Sequence, residues 1–376
     1  MKVVVAIDSF KGSLSSAQAG NAVKNAICRL KADAEVTVKP LADGGEGTVD
    51  ALAESTDGEM ITTTVKGPLG TPVTAKYCIL KDTNTAVMEM ASASGITLVS
   101  HSERNPLKTT TYGVGELIKD AINRGCRRFI IGIGGSATND GGTGMLTALG
   151  YEFLDKDGKS IPLCGGGLEV LHKISTKNVI PQLKECSFKI ACDVTNPLCG
   201  EKGCSAVFGP QKGATQEMIA DMDGWLSHYA ELAKTVSQKA DKDHAGAGAA
   251  GGLGFAFLTF TNAVLKSGID IVLEETSLES YIKSADIVVT GEGRLDSQTV
   301  MGKAPIGVAK LAKKHGKKVI AFSGCVTSDA EVCNEHGIDA FFPILRGVST
   351  LEEAMNAENA YKNLTATAYQ VFRLLV

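Results

Sequence analysis

Apolar and polar residues follow two spacings along the chain, one typical of buried strands and one typical of helices. KVVVAID at residues 2–8 is a continuous apolar run, and apolar residues recur at helical spacing from Ala17 to Leu30, with Ser13 as the predicted helix cap. Toward the other end, the predicted strands are ADIVVTGEG, KKVIAFSGC and DAFFPIL, and PIGVAKLAKKHG is a predicted helix. Strands separated by helices predict βαβ units and a mostly parallel sheet.

The middle of the chain has a different pattern. Three β-rich runs, MITTTVKG, TPVTAKYCIL and TAVMEMAS, follow one another with only turns between them, which is typical of antiparallel hairpins. A helix over 111–125 and the strand RRFIIGIG come next. We therefore predict an α/β protein with a discontinuous Rossmann-like parallel-sheet domain over residues 1–64 and 285–376. An inserted mixed α/β domain is predicted over residues 65–284.

Length and composition narrow the classes of function that the chain can have. A chain of 376 residues is long enough for two domains, and 44% hydrophobic with 21% charged residues is typical of a globular protein. The net charge of −4 and the 5% aromatic content argue against a nucleic-acid surface. The ten cysteines include no pair at the two-residue spacing of a zinc knuckle or thioredoxin motif. Cys199 and Cys204 come nearest to a metal pair, but no His or third Cys lies close by in the sequence, so reduced thiols are predicted.

Two apolar segments bear on localisation. The start, MKVVVAIDSF, is too short an apolar run for a signal peptide. Residues 245–265 form a stretch of 21 residues without charge, but five of them are glycines, so a glycine-rich loop entering a buried helix is favoured over a membrane span. The sequence predicts a cytoplasmic protein with no membrane partner, and a homo-oligomer is left open.

Acids follow several predicted strands beside Gly, Ser or Thr. The stretches that share this pattern are VVVAIDSFKGS, ADGGEGT, FIIGIGGSATNDGG, KIACDVTNP and IVVTGEGRLD. Each by itself is typical of a turn. Because ligands bind at the carboxyl ends of strands in open parallel sheets, their recurrence favours a shared polar cleft.

The residue types indicate phosphoryl transfer. Glycines allow backbone N–H groups to approach an anion, carboxylates hold Mg²⁺, and Lys or Arg neutralises the charge of the transferring group. The stretch GIGGSATNDGGTGML (132–146) has six glycines in its first thirteen positions, and we expect it to close around phosphate. Tight packing of a turn is the alternative.

Two alternative functions, a nicotinamide-dependent dehydrogenase and a non-enzymatic sensor, have less support in the sequence. GIGGSA (132–137) matches a dinucleotide-binding pattern, and Asp155 follows at a suitable distance, which would suit an NAD(P)-dependent dehydrogenase of a small hydroxy acid. A dinucleotide fold needs a helix starting near Gly134, however, and residues 139–142 would interrupt it. A non-enzymatic sensor of a small acid is disfavoured by the many strand-end carboxylates. Walker P-loops are absent from the sequence.

The motifs taken together resemble the glycerate kinase type-2 family from end to end. The stretches that carry the resemblance are AIDSFKGSLSS, PLADGGEGTVDAL, GIGGSATNDGGTGML, ACDVTNPLCG, FGPQKGA, GAGAAGGLGF and TGEGRLDSQT followed by GKAP. The resemblance implies ATP- and Mg²⁺-dependent phosphorylation of D-glycerate, in organic-acid, glyoxylate or sugar-diacid catabolism. It implies 2-phosphoglycerate as the product, with 3-phosphoglycerate as the alternative. It also implies a flavodoxin-like domain and an inserted domain likened to a restriction endonuclease.

Roles for individual residues follow from their place in these motifs. The candidates for catalysis are Asp193, as the base or a metal ligand, with Lys11, Glu292 and Arg294. The candidates for metal binding are Asp193, Glu292 and Asp296. The candidates for ATP are Gly134, Gly135, Ser136, Thr138, Asn139, Asp140, Gly141, Gly142 and Lys212. The candidates for the substrate are Asp8, Ser9, Asp43, Glu46 and Arg294. Each acid has capping of a helix as its structural alternative.

Overall fold

Strands and helices alternate along the chain in a computed structural model, which describes residues 1–42 and 47–376. The strands are β1 (Lys2–Val5), β2 (Glu35–Val38), β3 (Glu59–Lys66), β4 (Pro72–Leu80), β5 (Thr85–Glu89), β6 (Arg128–Gly132), β7 (Glu152–Leu154), β8 (Lys173–Ser175), β9 (Ser187–Ala191), β10 (Ala263–Lys266), β11 (Ile287–Leu295), β12 (Lys318–Val326) and β13 (Ala340–Pro343). The α-helices are α1 (Ser16–Leu30), α2 (Thr48–Thr56), α3 (Ala91–Ser94), α4 (Tyr112–Asn123), α5 (Thr143–Ala148), α6 (Cys204–Phe208), α7 (Gln216–Lys234), α8 (Ala249–Phe260), α9 (Gly268–Glu275), α10 (Leu278–Ser284), α11 (Ala304–Lys314), α12 (Val332–Glu335), α13 (Leu351–Met355) and α14 (Ala357–Phe372).

The described chain divides into two units. The first holds residues 1–42, 50–57 and 269–376, and the second holds residues 47–49 and 58–268. The first unit is therefore assembled from both ends of the chain, whereas the second is almost one continuous segment. The division into these two units does not test the domain limits predicted from the sequence. Those limits, at 64/65 and 284/285, stay a prediction.

The sheet of the first unit is five-stranded and entirely parallel. Its order is β13-β12-β11-β1-β2, so the chain starts near the middle, moves to one edge and then crosses to the other side. Counted within this unit the order is 2-1-3-4-5, the flavodoxin-like arrangement, and its switch point lies between β1 and β11. The predicted α/β fold with a parallel sheet is confirmed.

Helix α1 packs on this sheet with a buried small-residue face. Its core residues, Ala19, Val23 and Ile27, are fully buried and share one apolar cluster with Val5 of β1 and Phe372 of α14. Because these residues recur at helical spacing, the helix was predictable from sequence.

The start of α1 differs from the prediction. Ser13 was the predicted cap, but the cap is Ser15, whose hydroxyl accepts from the backbone N–H of Gln18 while the Gln18 side chain accepts from the N–H of Ser15. This reciprocal pair is a capping box. Ser13 cannot form one, because the residue three positions later is Ser16.

The sheet of the second unit is mixed. Its order is β10-β9-β6-β5-β4-β3, in which β3, β4 and β5 pair antiparallel and β5, β6, β9 and β10 pair parallel. The predicted hairpins are therefore present. The sheet is covered by a large aromatic core in which Phe129 stacks on Phe188 at 4.8 Å between ring centroids.

The uncharged stretch 245–265 forms a loop, helix α8 and strand β10. Most of α8 is buried within the second unit, which accounts for its lack of charge. In the described part of the chain, every helix is too short or too polar to cross a membrane.

Candidate active site

The switch point of the parallel sheet brings the strand ends of β1 and β11 together. Asp8 follows β1, its backbone N–H donates to the carbonyl of Gly291 on β11 at 2.9 Å, and the residue is only 5% exposed. The N–H of Ser9 donates to Asp8 Oδ1 at 2.6 Å, which fixes the carboxylate at the turn. Open α/β sheets bind ligands at this position.

Glu292 lies on β11 and is buried. Its Oε1 accepts from the hydroxyl of Thr299 at 2.8 Å, and its Oε2 lies 3.6 Å from the ammonium nitrogen of Lys303. Burial raises the pKa of Glu292, and the hydrogen bond from Thr299 and the charge of Lys303 act in the opposite direction.

Asp296 completes a charged group with Glu292. Its Oδ1 lies 3.7 Å from Nζ of Lys303 and its Oδ2 lies 3.2 Å from Nε of Arg294, a largely exposed side chain. The Lys303 ammonium is thus within 4 Å of both carboxylates. Lys303 and Thr299 were missed at the sequence level, although Lys303 belongs to the GKAP motif and directly precedes α11.

The loop of Lys11 runs beside the same strand. A Cβ added to Gly293 would lie 3.5 Å from the backbone nitrogen of Lys11, so the loop after β1 passes close to β11. The structure therefore brings together most of the substrate and catalytic candidates of the first unit, which we call the strand-end cluster: Asp8, Ser9, Lys11, Glu292, Arg294, Asp296 and Lys303. Asp43 and Glu46, predicted to bind substrate, lie outside the described residues.

The strand-end cluster offers carboxylate oxygens suited to Mg²⁺. Among the described residues no three metal-ligating side chains of the His, Cys, Asp and Glu types form a group that could hold a metal by themselves. Mg²⁺ commonly takes only one or two protein carboxylates and completes its shell with phosphate oxygens and water. The pair Glu292 and Asp296 fits that kind of site.

The glycine stretch of the second unit has two parts with different surroundings. Gly134 and Gly135 are exposed, and a Cβ added to Gly135 would meet only Ala91 Cβ, at an ordinary 3.5 Å. Gly142 is buried, and its added Cβ would lie 2.4 Å from Ala256 Cβ of α8. At Gly135 an added methyl group would make only an ordinary contact, whereas Gly142 needs glycine because another helix is in contact.

Asp140 lies between these parts and is fully buried. Its carboxylate accepts from the backbone N–H and the hydroxyl of Thr111, both at 2.8 Å, and from the N–H groups of Gly142 and Gly144. Burial raises the pKa of Asp140, and these hydrogen bonds oppose the rise. The Asp140 carboxylate thus links the glycine stretch to the start of α4. These hydrogen bonds hold the loop in position.

Asn139 is also fully buried, and its amide N–H donates to Ser205 Oγ at 2.9 Å. The amide oxygen of Asn139 and the hydroxyl of Thr138 are buried without a hydrogen-bond partner in the described structure. The ATP-binding roles predicted for Asn139, Asp140, Gly141 and Gly142 stay predictions, and their burial favours a supporting position behind Gly134–Ser136.

Lys212 reaches the glycine stretch from the turn after α6. The side chain is 2% exposed, and its ammonium donates to Ser136 Oγ at 2.8 Å and to the carbonyl of Thr138 at 2.7 Å. Neither contact is with an anion, and the third N–H has no acceptor among the described residues. Burial lowers the pKa of Lys212 to about 8. A buried lysine with an uncommitted donor is suited to an anionic ligand.

Asp193 lies just past β9 and is exposed. Its Oδ1 accepts from the N–H of Gly268 at 3.1 Å, at the first residue of α9. This contact is the helix-end role that was the structural alternative for each acid. Asp193 belongs to the second unit, and Glu292 and Asp296 belong to the first.

Charged residues at a parallel-sheet switch point, and a buried lysine at a glycine-rich turn, define an α/β protein equipped to bind small anions. Residues 3–376 match the model of the glycerate kinase family. A glycerate kinase of Haemophilus influenzae is 49% identical over 100% of this chain and 99% of its own length, and a glycerate 2-kinase of Escherichia coli K12 is 48% identical over 98% of each. A crystal structure assigned to glycerate kinase 2 from Salmonella typhimurium LT2 has 47% identity and a TM-score of 0.92, covering 100% of this chain and 98% of that one. The chain belongs to the glycerate kinase family, and it is an enzyme.

The dehydrogenase alternative lacks its structural requirement. A dinucleotide fold needs a helix that begins at the glycines directly after the strand. Here β6 ends at Gly132 and α5 begins at Thr143, so residues 133–142 form a non-helical loop. The family assignment and this loop both disfavour a nicotinamide enzyme.

Proposed function

We propose that this protein transfers the γ-phosphate of ATP to a hydroxyl of D-glycerate. The observation that carries the proposal is the end-to-end similarity to proteins named glycerate kinase, at 44–49% identity for several of them. The charged strand ends and the buried lysine are consistent with an anionic substrate and a phosphate donor. 2-Phosphoglycerate is the proposed product, within organic-acid, glyoxylate or sugar-diacid catabolism.

The ATP phosphates are assigned to the exposed part of the glycine stretch. Gly134 and Gly135 leave room for phosphate oxygens to approach backbone N–H groups, and the Ser136 hydroxyl is already oriented by Lys212. The Lys212 ammonium then supplies a positive charge in a buried environment, where its attraction for phosphate is stronger than in water.

Glycerate is assigned to the strand-end cluster. Arg294 offers two parallel N–H donors to a carboxylate, and Lys11 offers a flexible charge at the neighbouring turn. Asp8 and Ser9 are proposed to accept hydrogen bonds from, or donate them to, the glycerate hydroxyls. Asp43 and Glu46 remain proposed substrate residues on the strength of their motif alone.

Glu292 and Asp296 are the residues proposed to hold Mg²⁺, with Asp193 as the third candidate. When bound, the ion neutralises charge on phosphate oxygens. The ammonium of Lys303 lies within 4 Å of both carboxylates. Asp193 is proposed to take the proton of the attacking hydroxyl, the role for which its exposed carboxylate suits it.

The function is tested by incubating the protein with ATP, Mg²⁺ and D-glycerate and identifying the product isomer by NMR. We expect ATP consumption only when D-glycerate is present, with 2-phosphoglycerate formed. L-Glycerate and hydroxypyruvate with NADH or NADPH serve as controls. Nicotinamide oxidation without ATP turnover would reject the proposal, and 3-phosphoglycerate as the product would reject the proposed regiochemistry alone.

A further inference from the structure

Arg104 lies against the turn that carries Lys212, and its guanidinium uses only part of its hydrogen-bonding capacity. A Cβ added to Gly213 would lie 2.2 Å from the carbonyl oxygen of Arg104, so the two backbones are in close contact. The Nη1 atom of Arg104 lies at a long 3.4 Å from the carbonyl of Gln211. The guanidinium is thus held beside the residues that flank Lys212.

The Nε–H group of Arg104 is buried, and no described residue accepts a hydrogen bond from it. A buried donor without an acceptor is rare in native proteins and usually indicates an absent water, ion or ligand. Arg104 has no ion pair with an acid of the described residues, so its charge is not neutralised within this part of the chain.

The segment that contains Arg104 is also attached to the glycine stretch. The N–H of Ile96 donates to the carbonyl of Gly135 at 2.8 Å, and the hydroxyl of Thr109 donates to the carbonyl of Ala137 at 3.0 Å. Residues 96–109 therefore begin and end at the loop that Lys212 contacts. Two cations, Arg104 and Lys212, lie on segments anchored to the same loop, and neither has an anionic partner in an ion pair.

We propose that Arg104 is a second cationic binding residue beside Lys212, and that together they bind an oxyanion through two of its oxygens. Nε and one terminal nitrogen of a guanidinium form a planar donor pair that matches two oxygens of a carboxylate or phosphate, which lysine cannot reproduce. This inference rests on the proposed function, which assigns the ATP phosphates to Lys212, so a phosphate of ATP is the expected oxyanion. If the carboxylate of glycerate binds here instead, its assignment to Arg294 is wrong. It adds a residue that lies outside every motif singled out in the sequence.

The test compares Arg104→Gln and Arg104→Lys with a matched control, Lys108→Gln. Lys108 lies in the same segment, is exposed, and loses the same unit of charge on substitution. We expect Arg104→Gln to raise the KM for one substrate by roughly ten- to a hundredfold, since a charged hydrogen-bond pair is lost. Arg104→Lys should lie between Arg104→Gln and the wild type, and Lys108→Gln should match the wild type.

The two sources of the oxyanion give different results. A rise in the KM for ATP alone supports a phosphate, and a rise in the KM for D-glycerate alone supports the carboxylate. Unchanged KM values for both substrates, or an equal rise in Arg104→Gln and Lys108→Gln, would overturn the proposal, because the Nε–H donor then serves only water or general electrostatics. Thermal unfolding of each variant checks the fold, and Arg104→Lys keeps the proposal testable if Arg104→Gln does not fold.

Binding measurements test this inference independently of the proposed function. Calorimetric titration with inorganic tripolyphosphate and with D-glycerate needs no turnover. If the wild type lacks kinase activity yet binds either probe more tightly than Arg104→Gln does, the proposed function fails and the anion site stands. If neither titration distinguishes the wild type from Arg104→Gln, the anion site is rejected whatever the activity.

Discussion

Lys212 illustrates how burial controls charge at the scale of one residue. Its ammonium is buried among hydrogen-bond acceptors, and the titratable groups that face it are Asp140 and the thiol of Cys204, both of which oppose the lowering of its pKa. The resulting pKa of about 8 lies well below the ordinary 10.5. The residue is therefore charged at neutral pH but close to losing its proton.

We expect kcat/KM for ATP to fall as the pH rises through about 8, because deprotonation removes the charge that binds phosphate. Lys212→Arg should remove this fall, since arginine stays charged throughout that range. The measurement is a pH profile of kcat/KM for both proteins. A fall that persists unchanged in Lys212→Arg would assign it to another group.

The same pKa has a consequence for stability. Between about pH 8 and the ordinary value of 10.5 the unfolded chain keeps the Lys212 proton and the folded protein does not, so this group makes the free energy of unfolding rise with pH. Urea unfolding at the two ends of this window should show that rise in the wild type and lose it in Lys212→Met.

One substitution at Asp193 can distinguish a catalytic role of this residue from a structural one. Asn in place of Asp193 keeps an oxygen to accept from Gly268 N–H but cannot take a proton or carry charge. We expect kcat to fall by roughly 10²–10⁴-fold with the melting temperature unchanged. Recovery of rate on raising Mg²⁺ would indicate a metal ligand, whereas an unchanged kcat would indicate a structural role for Asp193.

At the scale of an element, the glycine stretch contains glycines that are required for two different reasons. Gly135 and Gly142 have nearly the same left-handed backbone, with φ of 72° and 74°. Their surroundings differ, because an added Cβ meets Ala91 at 3.5 Å in one case and Ala256 at 2.4 Å in the other. Backbone strain is thus matched between the two positions, and only the available space differs.

Gly142→Ala should therefore lower the free energy of unfolding by about 1–3 kcal/mol more than Gly135→Ala does, from overpacking against α8. Gly135→Ala should act mainly on ATP, raising its KM, because the added methyl occupies space next to the exposed backbone. Urea unfolding and ATP kinetics of both variants measure the two effects. Equal losses of stability would contradict the division of the stretch into an open and a packed part.

At the scale of the whole molecule, the two units are built from the chain in different ways. The second unit is almost continuous and has its own core, which includes Phe129, Phe188 and Tyr229. In the first unit, β11 pairs with β1 from the opposite end of the chain. Only the second unit can therefore complete its sheet from one uninterrupted segment.

We expect a fragment of residues 58–268 to fold by itself and to unfold cooperatively, and a fragment of residues 269–376 to remain unfolded without β1 and β2. Far-UV circular dichroism and urea unfolding of each fragment measure this. A non-cooperative 58–268 fragment would indicate that its core depends on the rest of the chain.

The sequence by itself determined the elements and the class of chemistry. Strand and helix periodicity depends on neighbours a few residues apart, so the parallel sheet, the hairpins and α1 could be predicted. Asp8 and Glu292 could be placed at one sheet edge, because parallel strands present their carboxyl ends together. The order and spacing of the motifs were sufficient to indicate the family.

Only the tertiary structure decided which polar side chains meet and which are buried. Thr299 and Lys303 contact Glu292 because the chain after β11 turns back to begin α11, and Arg104 meets the Lys212 turn across about a hundred residues of sequence. Asp140 resembles a ligand-binding acid in sequence, yet it is enclosed by Thr111 and two glycine N–H groups. Such contacts depend on packing between distant segments, and local sequence patterns do not encode them.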